Sequence, residues 1–497
     1  MGSLTGILSI HSEATGRQEE YGMIRSVLRL TLIVGIILAG ASAICSAQPA
    51  VGTAKKDAAK PAPVPEPRLS FRLHAAKDLP SVFGVPAKPE DNAAPLYEQA
   101  VEKLRLLWDA DDESRRAVAL RKEFERLLVT WGIEGPLSDG PKPGTRDPAK
   151  AREFLKQFAE ALALRDQAAA RPFYRRDADW SKHVLVELPH MTPLNVLARL
   201  SFLAATVDAH EGKADSGYQH LAAVLHLAGH LEQETVIMTQ LMAISLRVMT
   251  EDRIASLLHD HPPSAEAAAR FKPLRDIRVT SRLKRTMIAE TTLGNGAVED
   301  VIAGKLDPKQ LVGRADKGKP EKLPPEAVTM LKRMRVGYLE FMDRYVRACG
   351  RSARTTLAEF ERVEKETNAV AKDPKQPNLF VALLAPAAST LARTFYQDQA
   401  QARMTALAID IAASRKDTAK PYPKRLIRIP AHLILKDPFN DKQFGYRRDG
   451  KGFVLWSVGP DGDDDGGKTY EELEAAGKAA DADDGDLVLR IPPAKGE

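Results

Sequence analysis

Pro193 to His230, PLNVLARLSFLAATVDAHEGKADSGYQHLAAVLHLAGH, is the stretch whose reading decides the fold. Apolar residues recur at spacings of three and four on either side of Glu211-Gly212-Lys213, so each half reads as a helix with one apolar stripe. The glycine turn folds the two into an αα-hairpin. Working outward, the same period continues in both directions. Upstream, Asn92 is placed to cap a helix carrying Leu96, Ala100, Val101, Leu104 and Leu107, a second run covers Glu113 to Trp131, and a third covers Asp147 to Ala170. In that third run Asp147-Pro148 supplies a cap and a first-turn proline, with Phe154, Phe158 and Leu162 on one face. Downstream, helices are expected at Glu234 to His259, Ser281 to Ile302, Pro325 to Ala348 and Thr355 to Glu366, then a long one from Leu379 to Ala413 with a kink at Pro386. Arg171 to His190 reads as irregular and Lys305 to Leu323 as a surface loop.

A chain of 497 residues is too long for one small core, and about 100 to 200 residues per domain suggests two or three units. Apolar residues at 44%, charged at 28% and aromatics at 6% describe an ordinary globular protein that leans toward helix. The net charge of +5 conceals an asymmetry, because residues 461–486 hold eleven Asp or Glu against two Lys. The basic remainder is interspersed with carboxylates along helical segments, without dense basic runs or interleaved aromatics, so the composition excludes a nucleic-acid surface. Two cysteines, Cys45 and Cys349, give no disulfide framework.

From Met23 a short cationic stretch leads into apolar Leu30 to Ala39 and small residues around Cys45-Ser46-Ala47, the order of a secretory signal. Two readings follow: a cleaved signal, or an uncleaved anchor over residues 28–47 that holds the chain to the membrane. Translation starts at Met1 or at Met23, since residues 1–22 are polar and fit poorly ahead of a signal. The Ile44 before Cys45 argues against a lipoprotein site. Gln48 to Pro67 is rich in Ala, Pro and Lys and reads as an extended tether. The expected organisation is an N-terminal extension and signal or anchor over 1–47, a linker over 48–90, a helical domain over 91–375 and a C-terminal module over 376–497.

After the long helix the period changes from helical to alternating. Strands are expected at Phe444 to Arg448, Phe453 to Val458 and Leu487 to Ile491, with Asp449-Gly450 as a hairpin signal between the first two. The fold class is therefore mainly α: a helical bundle with αα-hairpins, followed by a small α+β module of a long helix and a three-stranded antiparallel sheet. Asp437-Pro-Phe-Asn, Phe444-Gly-Tyr-Arg and Phe453-Val-Leu-Trp-Ser-Val-Gly-Pro-Asp-Gly, with an acidic glycine-rich loop after them, resemble the C-terminal half of the type II secretion major pseudopilin. The resemblance covers residues 395–490 and implies a calcium-binding loop. It does not extend to the methylation motif or assembly helix of a pseudopilin. As a whole the chain is similar to exported envelope proteins of planctomycete bacteria, with Asn92-Ala-Ala-Pro-Leu-Tyr and Asp484 to Pro492 also matching that group. The hairpin at Pro193 to His230, with Ala204, Ala205 and Gly217, resembles one tetratricopeptide-type repeat, but no second copy follows at a period of about 34 residues.

Asp461-Gly-Asp463-Asp464-Asp465-Gly466-Gly467-Lys468-Thr469-Tyr470-Glu471-Glu472 carries the residue types of the EF-hand calcium loop at positions 1, 3, 5, 6 and 12. Calcium takes about six to eight oxygens, and alternate carboxylates on a tight turn converge on one point. The expected ligands are Asp461, Asp463, Asp465, the carbonyl of Gly467 and a bidentate Glu472, with Asp464 secondary and Asp481 to Asp486 as a further source. The loop follows a strand, so it predicts a structural Ca²⁺ of affinity on the order of 10⁻⁴ to 10⁻³ M and no helix-opening switch. The competing reading is a solvated acidic turn.

His226, His230 and Glu234 recur every four residues and would share a helix face suited to a metal such as zinc, provided the helix continues past Gly229. No nucleophile elbow, phosphate loop or dinucleotide fingerprint is present. The sequence thus favours an exported protein of the periplasm or cell envelope that binds another envelope protein without catalysis. The alternatives are an envelope hydrolase or metalloenzyme using the helical domain, and a secretion-system component.

Overall fold

The computed structural model describes residues 64–84, 88–135, 144–307, 310, 323–350, 352–371, 378–385, 387–415, 421–425, 435–478 and 484–492. The expected signal or anchor at 28–47, the first part of the linker, most of the loop at 305–323 and Pro386 lie outside them. Among the described residues no helix is long and apolar enough to cross a membrane.

The fold is mainly helical with a small three-stranded antiparallel sheet at its C-terminal end. Its main helices are α1 (Ala94–Glu102), α2 (Arg115–Thr130), α3 (Pro148–Lys156), α4 (Ala159–Ala169), α5 (Met191–His210), α6 (Ala214–Leu231), α7 (Ile237–Leu258), α8 (Val279–Ile302), α9 (Pro325–Ala348), α10 (Ala353–Ala371) and α11 (Ala388–Ala413). Local chemistry starts several of them. Ser114 accepts a hydrogen bond from the Ala117 amide, and Asp147, followed by Pro148, accepts one from the Lys150 amide. The expected helix at Asp147 to Ala170 breaks at Gln157 and Phe158 into α3 and α4. Asn92 accepts the Ala94 amide at the start of α1 at 3.2 Å, and its carboxamide also ties that start to Arg175, giving to the carbonyl and taking from the N–H, each at 2.8 Å.

The hairpin read from Pro193 to His230 is α5 and α6. Gly212 supplies the left-handed turn residue at φ 80°, and a β-carbon on Gly217 would stand 2.7 Å from the Ala205 carbonyl oxygen. That position requires glycine because the two backbones touch there. α6 packs on α7, α7 on α11, and α11 in turn on α10, so the hairpin is the first layer of a continuous bundle.

Two expected boundaries move. Residues 64–84 belong to the body, although the linker was expected to run to residue 90. Ser70 gives both its N–H and its hydroxyl to Asp343 at 2.6 Å, Leu69, Phe71 and Leu73 pack against the main core, and Leu79 and Phe83 join Trp180, Val236 and Leu293 in a satellite core. Leu69, Phe71, Leu73, Leu79 and Phe83 carry no helical period and follow directly on the Ala, Pro and Lys-rich stretch, which hid their packing. Second, the division at 375/376 does not separate two cores. The expected long helix is broken into Leu379–Leu384 and α11, and α11 is buried along most of its length within the body. One apolar cluster runs from Ala93 to Ile491 and includes residues of the sheet.

The sheet has β1 (Gly445–Asp449), β2 (Gly452–Ser457) and β3 (Leu487–Ile491) in the order β1-β2-β3. Tyr446 stands opposite Leu455, and Leu455 opposite Leu489. Gly450 at φ 50° and Lys451 make the two-residue turn announced by Asp449-Gly450. β2 and β3 lie against α11, so the sheet presents its buried face to the bundle and its connecting loop to solvent.

Candidate metal centre

The connection from β2 to β3 carries the acidic residues. It leaves β2 through Gly459 (φ 71°) and Gly462 (φ 82°), bends again at Gly466 (φ 70°) and Gly467 (φ 78°), forms a short helix at Tyr470–Ala475, and returns through Gly485 (φ 90°). Two close approaches hold outgoing and returning segments together. A β-carbon on Gly459 would meet the Gly485 carbonyl oxygen at 3.1 Å, and one on Gly485 would meet the Tyr470 nitrogen at 2.5 Å. The Asp486 carboxylate accepts from the Gly467 amide at 2.6 Å, and the Asp486 amide donates to the Lys468 carbonyl at 2.8 Å.

This lacing brings Asp484 across to Asp461, Asp463 and Asp465. One carboxylate oxygen from each of the four lies within 4.8 Å of every other. Two oxygens bound to one calcium at about 2.3–2.6 Å can be at most roughly 5 Å apart, so the four fit a single coordination sphere. The donors are all hard oxygens, which suits calcium or another hard cation and not zinc. Asp465 also keeps one carboxylate oxygen buried with no hydrogen-bond partner. Burial, with Asp463 and Asp484 adding like charge, raises the Asp461 carboxyl to about 6. Burial and the charges of Asp463 and Asp484 raise Asp465 as well, with Lys468 a partial offset. A cation would relieve that repulsion.

The set differs from the linear loop. Glu472 stands outside this group: one of its oxygens accepts the Thr469 amide at 2.9 Å, while Thr469 accepts the Glu472 amide, a reciprocal cap at the start of the Tyr470–Ala475 helix. Both Glu472 oxygens also take Arg490, at 2.7 and 2.8 Å. The sequence carried this signal, since Thr469-Tyr-Glu-Glu472 is a capping box. The Gly467 carbonyl, the expected seventh-position ligand, accepts from Arg490 at 3.2 Å. Asp464 turns to the Trp456 indole N–H at 2.8 Å and the Gly466 amide at 3.0 Å. Asp484, only a secondary source in the sequence, is the fourth member of the group. Asp481 and Asp483 lie outside the described residues.

The histidine face does not assemble. α6 ends at Leu231, so Glu234 is off the helix, where it is buried beside Arg176 at 3.4 Å. His230 is buried with both ring nitrogens in use. Nε2 gives its proton to the Arg171 carbonyl at 2.8 Å, which leaves Nδ1 to accept the Tyr97 hydroxyl at 3.1 Å. Burial holds His230 neutral, down to about 4. His226, one turn before His230 on α6, is exposed. Among the described residues the four aspartates are the one group of His, Cys, Asp or Glu arranged to hold a metal. Cys349 is buried with its thiol raised to about 12 by burial, the setting of an inert thiol.

Comparison with protein-family models, with curated protein sequences and with solved structures finds no match.

Proposed function

We propose that this chain is an exported envelope protein whose helical body is a binding scaffold, with its C-terminal sheet clamped by one calcium ion. The observation that carries the calcium is the convergence of Asp461, Asp463 and Asp465 with Asp484, which is nearly twenty residues further along the chain. An ion held by both segments would tie the β2–β3 connection closed over a sheet already seated on α11. The role is structural: the ligands sit on glycine-rich loops braced by Trp456 and Arg490, and no helix pair is present to open. Export is supported by the signal-like order of residues 23–47 and the tether after it.

Calcium titration of the full chain by calorimetry and thermal melting tests this reading. An ion at about ten times its Kd adds roughly 1.4 kcal/mol to the state that binds it. Millimolar calcium is expected to raise the melting temperature, and Asp484→Asn to remove both the heat and the shift. Wild-type binding in Asp484→Asn would discard this ligand set, and the absence of any heat would discard the ion. Fractionation of the expressing cells tests export: a chain found wholly in the cytoplasm contradicts it.

A further inference from the structure

A cleft of about 290 Å³ opens between the C-terminal end of α6, the middle of α7 and the first turns of α8. Its polar lining is dominated by Arg247, Arg278, Arg282 and Arg285, with Ser281 beside them. Arg278, Arg282 and Arg285 are spaced four and three apart at the start of α8, which puts them on one side of the helix. No side chain caps that helix, so the first-turn amides are also without an acceptor from a cap.

The arginines form two tiers. Arg282 and Arg247 are buried and fixed. Arg282 gives Nε to Gln240 at 2.9 Å and Nη1 to Asp398 at 3.0 Å and Glu232 at 2.8 Å, while its guanidinium lies 4.3 Å from the centre of the Phe395 ring. Its Nη2 is buried and has no hydrogen-bond partner. Arg247 gives Nε to Asp398 at 2.7 Å. Arg278 and Arg285 are exposed above them and pair with no carboxylate among the described residues. Four guanidinium groups face Glu232 and Asp276 in the cleft, with Asp398 behind them, so the site keeps a positive excess.

We propose that this cleft binds a small oxyanion. The exposed guanidinium groups of Arg278 and Arg285 at the positive end of a long helix favour a phosphate or a carboxylate. A volume at the lower end of small-molecule sites suits a small ligand. Leu225, Leu274 and Ile277 give the ligand an apolar wall, so it carries a short hydrocarbon part as well as its charge. Neither the calcium nor its loop takes part: the cleft is built from helices of the body.

The experiment is calorimetry and thermal melting of the full chain, in a calcium chelator, with inorganic phosphate and with succinate as probes. Sodium chloride at matched ionic strength is the control. The expected result is saturable binding of one or both at millimolar concentration or below, with a rise in melting temperature that chloride does not reproduce. Because Arg278 and Arg285 are exposed, the pair Arg278→Gln and Arg285→Gln should keep the helical circular dichroism of the parent and lose at least ten-fold in affinity. Arg362→Gln, an exposed arginine on α10, should bind as the parent does. Binding of phosphate alone assigns a phosphate ligand, and binding of succinate alone a carboxylate. No saturable binding of either probe, or affinity unchanged in the double variant, overturns the proposal.

Discussion

Two groups of carboxylates in this molecule answer the same physical problem in opposite ways. Asp398 is wholly buried in the body, yet the chain surrounds it with Arg247 and Arg282. Burial works against its charge, but the two guanidinium groups win and hold it below the ordinary carboxylate range. In the β2–β3 connection, Asp461, Asp463, Asp465 and Asp484 converge on one another, and burial pushes Asp461 up to about 6. Arg447 and Arg490 are close by but are spent on the Gly466 carbonyl and on Gly467 and Glu472. The difference teaches what an outside cation would do: on the proposed reading it supplies at the loop the countercharge that Arg247 and Arg282 supply to Asp398 in the body.

The largest effect should come from breaking the self-neutralised group. Asp398→Asn leaves Arg247 and Arg282 buried with a lost counter-charge, and loss of one partner from such a cluster costs roughly 3–5 kcal/mol. Urea denaturation should show a midpoint lowered from wild type by the same amount in calcium and in a chelator. A midpoint equal to wild type would mean that Glu232, which also pairs with Arg282, suffices alone.

The pH dependence sharpens the contrast at the acidic loop. Burial raises Asp461 to about 6 and Asp486 to about 7, so both hold a proton more tightly folded than unfolded. Their contribution to stability is complete below about pH 4 and is lost as pH rises through 6 and 7. In a chelator, the melting temperature of wild type relative to Asp461→Asn is expected to fall across that window by roughly 2 °C or more. Calcium should restore more of it the higher the pH. Asp398 moves the other way: its folded value is lowered, so its share of stability is present above about pH 4 and disappears on acidification. A difference between wild type and Asp461→Asn that grows in favour of wild type from pH 4 to 7 in chelator would contradict the acidic-loop account.

The smallest effect separates the two ligand sets. Glu472→Gln weakens the cap at Thr469 and the contact to Arg490, costing at most about 1 kcal/mol by chemical denaturation. Calcium affinity should stay within about three-fold of wild type by calorimetry. A larger loss would return Glu472 to the coordination sphere.

Much of the fold was legible along the chain. The α5–α6 hairpin, α8, α9, the three strands and the Asp449-Gly450 turn all follow from local period and turn chemistry, because these depend on neighbours within a few residues. The acidic loop was legible as a place but not as a ligand set. Position 12 of a linear template fell on Glu472, and a local competitor, the capping box with Thr469, had a better use for it. His226, His230 and Glu234 looked aligned only as long as the helix was extended past Leu231.

By itself the sequence determined the helical class, the small terminal sheet and the gathering of acids between its last two strands. Only the tertiary structure decided that residues 64–84 are packed, that α11 is a core helix of the body, and that Asp484 meets Asp461. The physical reason is range. Periodicity and capping act within a few residues, whereas which faces bury each other, and which charges then stand together, depends on how distant segments close on one another.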